Sequence, residues 1–128
     1  LNALKKVKME NFIDKPPHHL SFGQKRKVAI ASVLASEPEL LVLDEPSSNL
    51  DPASRRELIE ILKSLKISLI LVTHDLPMAL ELCSRSIILN NGEITTDMKT
   101  YEILKNKKVM KENRLELPYG FALHHLEE

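Results

Sequence analysis

Two acidic residues, Asp44 and Glu45, stand side by side at the end of the apolar run Leu40 to Leu43, and His74 stands just past a second apolar run, Ile67 to Val72. Continuous apolar runs of this length suit strands buried on both faces. Between them, from Pro52 to about Leu65, the residues Leu58, Ile61, Leu62 and Leu65 recur at helical spacing. The stretch therefore predicts a strand–helix–strand crossover with its two strands parallel. Ligands of open parallel sheets bind at the carboxyl ends of the strands, which puts Asp44, Glu45 and His74 along one rim. Successive strand residues face opposite sides, so the two carboxylates divide the work. One holding a magnesium ion and the next orienting a water is the division that phosphoryl transfer needs. The other reading of Asp44-Glu45-Pro46 is a turn that the proline closes, and on these residues alone both stay open.

A second candidate site precedes the first. Ser21 is a good N-cap for a helix running from Phe22 to Ser36, and Pro38 enforces its stop. The helix is apolar over much of its circumference, from Val28 to Ala35, which predicts extensive burial. Its first turns carry Lys25, Arg26 and Lys27, although a helix N-terminus bears partial positive charge and prefers acidic side chains. An anion in front of the helix would account for them. The Ser21 hydroxyl and the free N–H groups near Gly23 would form its cradle, Gly23 allowing close backbone approach. A solvated basic face is the alternative, and it too stays open.

The remaining elements position these residues. Ala3 to Asp14 reads as a short helix stopped by Pro16-Pro17. A helix from Asp75 or Pro77 to Cys83 leads to a strand at Ser86 to Leu89. Asn90-Asn91-Gly92 then makes a hairpin turn into Glu93 to Thr96. Lys99 to Lys107 forms a polar amphipathic helix. The tail from Lys108 to Glu128 has Pro118 and Gly120 among short apolar clusters and gives no clear pattern.

Composition bounds the function. A chain of 128 residues with 43% hydrophobic content fits one packed domain. Eighteen basic and eighteen acidic residues cancel, and aromatics are 4% with no Trp, which argues against a nucleic-acid partner. The single Cys83 excludes an internal disulfide and fits a reducing compartment, as a small apolar residue packed in a helix. No apolar run approaches the roughly 20 residues of a transmembrane helix, and Leu1 to Glu10 is not of signal-peptide type. A first residue that is Leu rather than Met hints at a fragment. His18 and His19, adjacent and without further spaced ligands, read as exposed loop residues rather than a metal site.

Leu20-Ser21-Phe22-Gly23-Gln24 resembles the signature motif of ATP-binding-cassette (ABC) ATPases, usually Leu-Ser-Gly-Gly-Gln. Leu40-Leu41-Val42-Leu43-Asp44-Glu45 is similar to that family's Walker B strand and catalytic glutamate. Ser47-Ser48-Asn49-Leu50-Asp51 looks like its D-loop, and Thr73-His74-Asp75 like its switch histidine. Four motifs in the family's order cover residues 20 to 75. The resemblance implies that Asp44 supports magnesium through water, that Glu45 polarises the hydrolytic water, and that His74 contacts the γ-phosphate. It implies that Ser21 and Gly23 bind the γ-phosphate of an ATP held by a second ATPase subunit, identical or not. Gln24 would reach that ATP's ribose, and Asp51 would shape the dimer interface. Phe22 departs from the usual glycine and puts the closeness of the backbone contact in doubt.

Pro16-Pro17-His18-His19-Leu20, Glu37-Pro38-Glu39 and Asn113-Arg114-Leu115-Glu116-Leu117-Pro118 resemble the flanks of cobalt/nickel and energy-coupling-factor importer ATPases. That implies transmembrane transporter subunits as partners, a cytoplasmic chain peripheral on the inner face of the membrane, and metal ions or vitamins as cargo. The implied fold is a partial α/β P-loop NTPase, its parallel sheet flanked by helices. Residues 1–97 would be the C-terminal part of the ATPase domain and 98–128 a helical extension. A phosphate-binding loop needs Gly, four residues, then Gly-Lys-Ser or Gly-Lys-Thr. These residues hold only Gly23, Gly92 and Gly120, so that spacing does not occur among them. In the family's sheet the phosphate-loop strand is expected between the Ile67–Val72 and Ser86–Leu89 strands. Without it the backbone on both sides lacks partners, so the 128 residues alone are expected to be inactive, and unstable, rearranged or paired with another polypeptide.

Overall fold

The computed structural model describes residues 1–123; residues 124–128, the end of the expected 98–128 extension, lie outside the described residues. The chain divides into two compact units, Leu1–His74 and Asp75–Glu128.

In the first unit, α1 (Asn2–Lys6) is followed by single 3-10 turns at Glu10–Phe12 and Pro17–His19, then α2 (Phe22–Leu34), β1 (Leu40–Asp44), α3 (Pro52–Ser64) and β2 (Ser68–Val72). The helix expected from Ala3 to Asp14 breaks at Lys8, where φ is +57°. Val7 and Met9 are both buried, 0% and 1% exposed. Residues two apart lie on opposite sides of a helix, so both can enter one core only if the chain turns between them. Strands β1 and β2 pair in parallel, from Leu40 opposite Ser68 to Asp44 opposite Val72, as the crossover predicts. Leu58, Ile61 and Leu62 of α3 are buried as expected, together with Ile59, while Leu65 is the half-buried C-cap.

Two burial expectations fail. Helix α2 buries a single stripe, Gly23, Lys27, Ile30, Ala31 and Leu34, and leaves Val33 about half exposed. That stripe follows the i, i+4, i+7 repeat of a helix covered on one side only. The strands are likewise covered on one face: Leu41 is buried, whereas Leu40, Val42, Ile70 and Val72 are each about half exposed. Alternation along a strand puts these four on the same, uncovered face.

The second unit holds α4 (Leu76–Leu82), β3 (Arg85–Asn90), β4 (Glu93–Lys99), α5 (Thr100–Lys105) and α6 (Lys107–Glu112). Strands β3 and β4 form a separate antiparallel sheet with an irregularity between Ile88 and Leu89. Asn91 and Gly92 turn the hairpin at φ +51° and +80°, the left-handed pair that a two-residue turn requires. The helix expected over Lys99 to Lys107 splits at Asn106, whose side chain accepts from the N–H groups of Lys108 and Val109, both at 3.1 Å. An Asn that caps a new helix cannot continue the old one. Ile103, Leu104 and Met110 form the core, with Leu76, Leu80, Ile88 and Leu115 packed against it.

Candidate functional site

The rim of the parallel pair is built around Glu45. Its N–H donates to the Val72 carbonyl at 2.8 Å, which extends the ladder one residue past β1. Its own φ is +45°, a left-handed conformation costing a non-glycine residue about 1–2 kcal/mol. Such a backbone persists only where its surroundings over-determine it. Here the Glu45 carbonyl accepts from the Ser48 N–H at 3.2 Å and from Arg26 Nη1 at 3.5 Å. Arg26 Nη2 donates in turn to the Ser48 carbonyl at 3.2 Å and hydroxyl at 3.4 Å.

The Glu45 carboxylate is held from the other strand. The His74 N–H donates to Oε1 at 3.0 Å, and the Thr73 hydroxyl donates to Oε2 at 3.4 Å. The His74 Nε2 lies 3.6 Å from the same Oε1, on a side chain 93% exposed. The carboxylate itself is about one third exposed. Glu45 and His74 thus meet at the carboxyl rim, with an imidazole and a carboxylate both open to solvent. Asp44 is exposed at the end of β1. It is one hard oxygen donor, which fits magnesium, an ion that takes one or two carboxylates and keeps waters and phosphates for the rest.

The second candidate site has a different economy. The Ser21 hydroxyl accepts from the Gln24 N–H at 3.2 Å, and the Gln24 Oε1 accepts from the Ser21 N–H at 2.9 Å. This reciprocal capping box satisfies two N-terminal donors within the chain. Gly23 is buried, and a Cβ added there would lie 2.8 Å from Ser54 Oγ and 3.0 Å from Ser54 Cβ. The glycine is needed for the approach of α2 to α3. Asp51 caps α3: it accepts from the Ser54 N–H at 3.0 Å and hydroxyl at 2.7 Å. Those two bonds, the hydroxyl's first, hold its carboxyl below the usual carboxylate range.

The basic run after Gln24 is accounted for without an anion at two of its three positions. Lys27 is nearly buried and pairs with Glu57 of α3, and Arg26 is engaged as above. Lys25 lies exposed beside Phe22, its Nζ 6.0 Å from the ring centre. Phe22 itself is 74% exposed. Sequence reasoning passes over Ser54, and it reads Arg26 and Thr73 without their contacts to Glu45. Only Ser54 left a signal, its position three residues past a capping Asp.

Other candidates are inert in this arrangement. Burial pushes the Cys83 thiol up, which disfavours the reactive thiolate. It is the half-buried C-cap of α4 rather than a residue within the helix. His18 and His19 are exposed, their rings meeting edge to face at 4.3 Å. No helix among the described residues is long and apolar enough to cross a membrane.

Residues 10–81 match the family described as AAA domain, putative AbiEii toxin, Type IV TA system. A putative ABC transporter ATP-binding protein of Streptomyces avermitilis is 63% identical over 119 residues, covering 93% of this chain and 45% of that protein. The energy-coupling factor transporter ATP-binding protein EcfA1 of Bacillus subtilis is 41% identical, covering 97% of this chain and 45% of the relative. Among solved structures, cbiO1 from Clostridium perfringens, part of the ABC transporter complex cbiONQ, superposes with a TM-score of 0.75 at 40% identity. That match covers 91% of this chain and 48% of the other. The chain belongs to the AAA-domain family, and its relatives are ABC-transporter ATP-binding proteins, energy-coupling factor transporter ATP-binding proteins among them. Its fold is about half of an ABC ATPase domain, and it spans about half the length of the curated relatives it matches.

Proposed function

We propose that these residues supply the catalytic rim and the signature helix of an ATP-hydrolysing subunit of an ABC importer for metal ions or vitamins. One observation carries the reading: the Glu45 carboxylate is fixed by the His74 N–H at 3.0 Å while the His74 imidazole beside it stays open to solvent. A carboxylate held by its rear donors and exposed at its front is arranged to accept a proton from water. Glu45 is the base in this reading, and His74 is free to reach the γ-phosphate. Asp44 would hold magnesium, which when bound neutralises charge on the phosphate oxygens.

Ser21, Gly23 and Gln24 would meet the ATP of a second ATPase subunit, with Asp51 at the interface. The capping box sharpens that role. With Ser21 and Gln24 each already bonded to the other's backbone, they present a rigid helix start to the phosphates. Transmembrane transporter subunits are the further partners, on the cytoplasmic face of the membrane, and no nucleic acid is involved. The 128 residues alone would be inactive, because the phosphate-binding loop spacing does not occur in them.

The test is Glu45→Gln in the full-length subunit. ATP turnover should fall by about 10²-fold or more, with ATP binding retained. Turnover persisting at the normal rate would remove Glu45 from the base role.

A further inference from the structure

The guanidinium of Arg26 bridges two carbonyls three residues apart, Glu45 at 3.5 Å and Ser48 at 3.2 Å, and reaches the Ser48 hydroxyl at 3.4 Å. These carbonyls flank the turn that begins at the left-handed Glu45 and is closed by the Ser48 N–H on the Glu45 carbonyl. The Glu45 N–H and carboxylate are tied to the β2 side, at Val72, Thr73 and His74. Its carbonyl is tied to α2 through Arg26. A planar fork with several donors can hold two carbonyls at once, whereas an ammonium is a single point. From these contacts we propose that Arg26 is a positioning residue for Glu45, setting the backbone from which its carboxylate is aimed at water.

The proposal rests on the reading of Glu45 as the base. It does not treat Arg26 as catalytic, because Arg26 donates to main-chain oxygens and the Ser48 hydroxyl. Misaiming a reacting group by about 1 Å can cost 10²-fold in rate, so releasing one of several tethers should cost about 10-fold in kcat. ATP binding draws on other residues and should be left in place.

In the full-length subunit, Arg26→Lys and Arg26→Gln should each lower kcat by about 10-fold. The KM for ATP should stay within about 2-fold, because the loss falls on the transition state alone. Arg26→Lys keeps the charge and the stem, so it carries the test if Arg26→Gln does not fold. In single-turnover measurements, removing Arg26 from a Glu45→Gln subunit should cause no further loss, since groups acting as a unit are not additive. Equal losses with and without Glu45, or Arg26→Lys turning over normally while Glu45→Gln is inactive, would overturn the positioning role alone. Normal turnover of Glu45→Gln would instead take away the base reading itself, and the proposal with it.

Discussion

Strands β1 and β2 run parallel and are joined through the thirteen residues of α3, whereas β3 and β4 run antiparallel and are joined by Asn91 and Gly92. In the hairpin, partners are close in sequence. Arg85 grips Asp97 with two bonds of 2.7 Å, the Ser86 and Thr100 hydroxyls share one bond, and the Thr100 hydroxyl donates to the Cys83 carbonyl. These polar groups are matched within 17 residues of one another. At the carboxyl ends of the parallel pair Glu45 and His74 meet, although they lie 29 residues apart in sequence. A parallel crossover puts both strand ends on one side, so it gathers distant polar residues that a hairpin would separate. The candidate site falls at the first pair, where a contact 29 residues apart in sequence joins the two strand ends, and the second pair serves as its comparison.

Substitutions in both regions would break or sharpen this contrast. The largest effect belongs to the rim: Glu45→Gln should remove about 10²-fold or more of turnover. Asp97→Asn, in the hairpin, should leave turnover unchanged in the same assay. Next is Gly23→Ala, which drives a Cβ into Ser54 and should lower stability by roughly 1–3 kcal/mol in denaturant unfolding of the full-length subunit. Ser54→Gly in the same chain should recover part of that loss. Gly92→Ala should cost about 1 kcal/mol for the opposite reason. Space around Gly92 is open, but its φ of +80° strains a side chain. No second substitution nearby should recover it, though Gly92→Asn should cost less, since Asn tolerates that conformation.

The smallest effect is a matter of pH. Asp51 is held below its ordinary value in the folded chain, so its contribution is present above the unfolded carboxylate range and is lost as pH falls through the folded one. Asp51→Asn should therefore flatten the acid limb of the stability curve and change little near neutrality. An unaltered acid limb in the variant would show that the cap does not distinguish the two states.

Much of the fold and of the rim is legible in the order of residues alone. The apolar runs, the helical repeat of α3, the cap at Ser21 and the Asn-Gly turn are written in neighbours a few residues apart. The rim follows from the order strand, helix, strand. What is not legible depends on partners far along the chain. The run Lys25-Arg26-Lys27 looks like cations awaiting an anion, yet Arg26 finds carbonyls 19 and 22 residues away and Lys27 a carboxylate 30 away. Gly23 looks like room for a phosphate, and its limiting neighbour is Ser54. The strands read as buried on both faces because apolarity records what a face prefers, not which element covers it. The break at Lys8 comes from Val7 and Met9 both seeking the core, a demand that no local pattern expresses.

One hydroxyl serves two helices. Ser54 answers the carboxylate of Asp51 and also sets the distance at which Gly23 passes. Positions 23 and 54 are therefore not free to drift apart over evolutionary time. While residue 54 keeps a side chain, a side chain at 23 must push it aside. A lineage that gains a larger residue at 23 must first empty 54 and find another cap for α3. Among relatives these two sites should change together or not at all, and that paired record would carry the trace of a contact between helices whose first residues stand thirty positions apart.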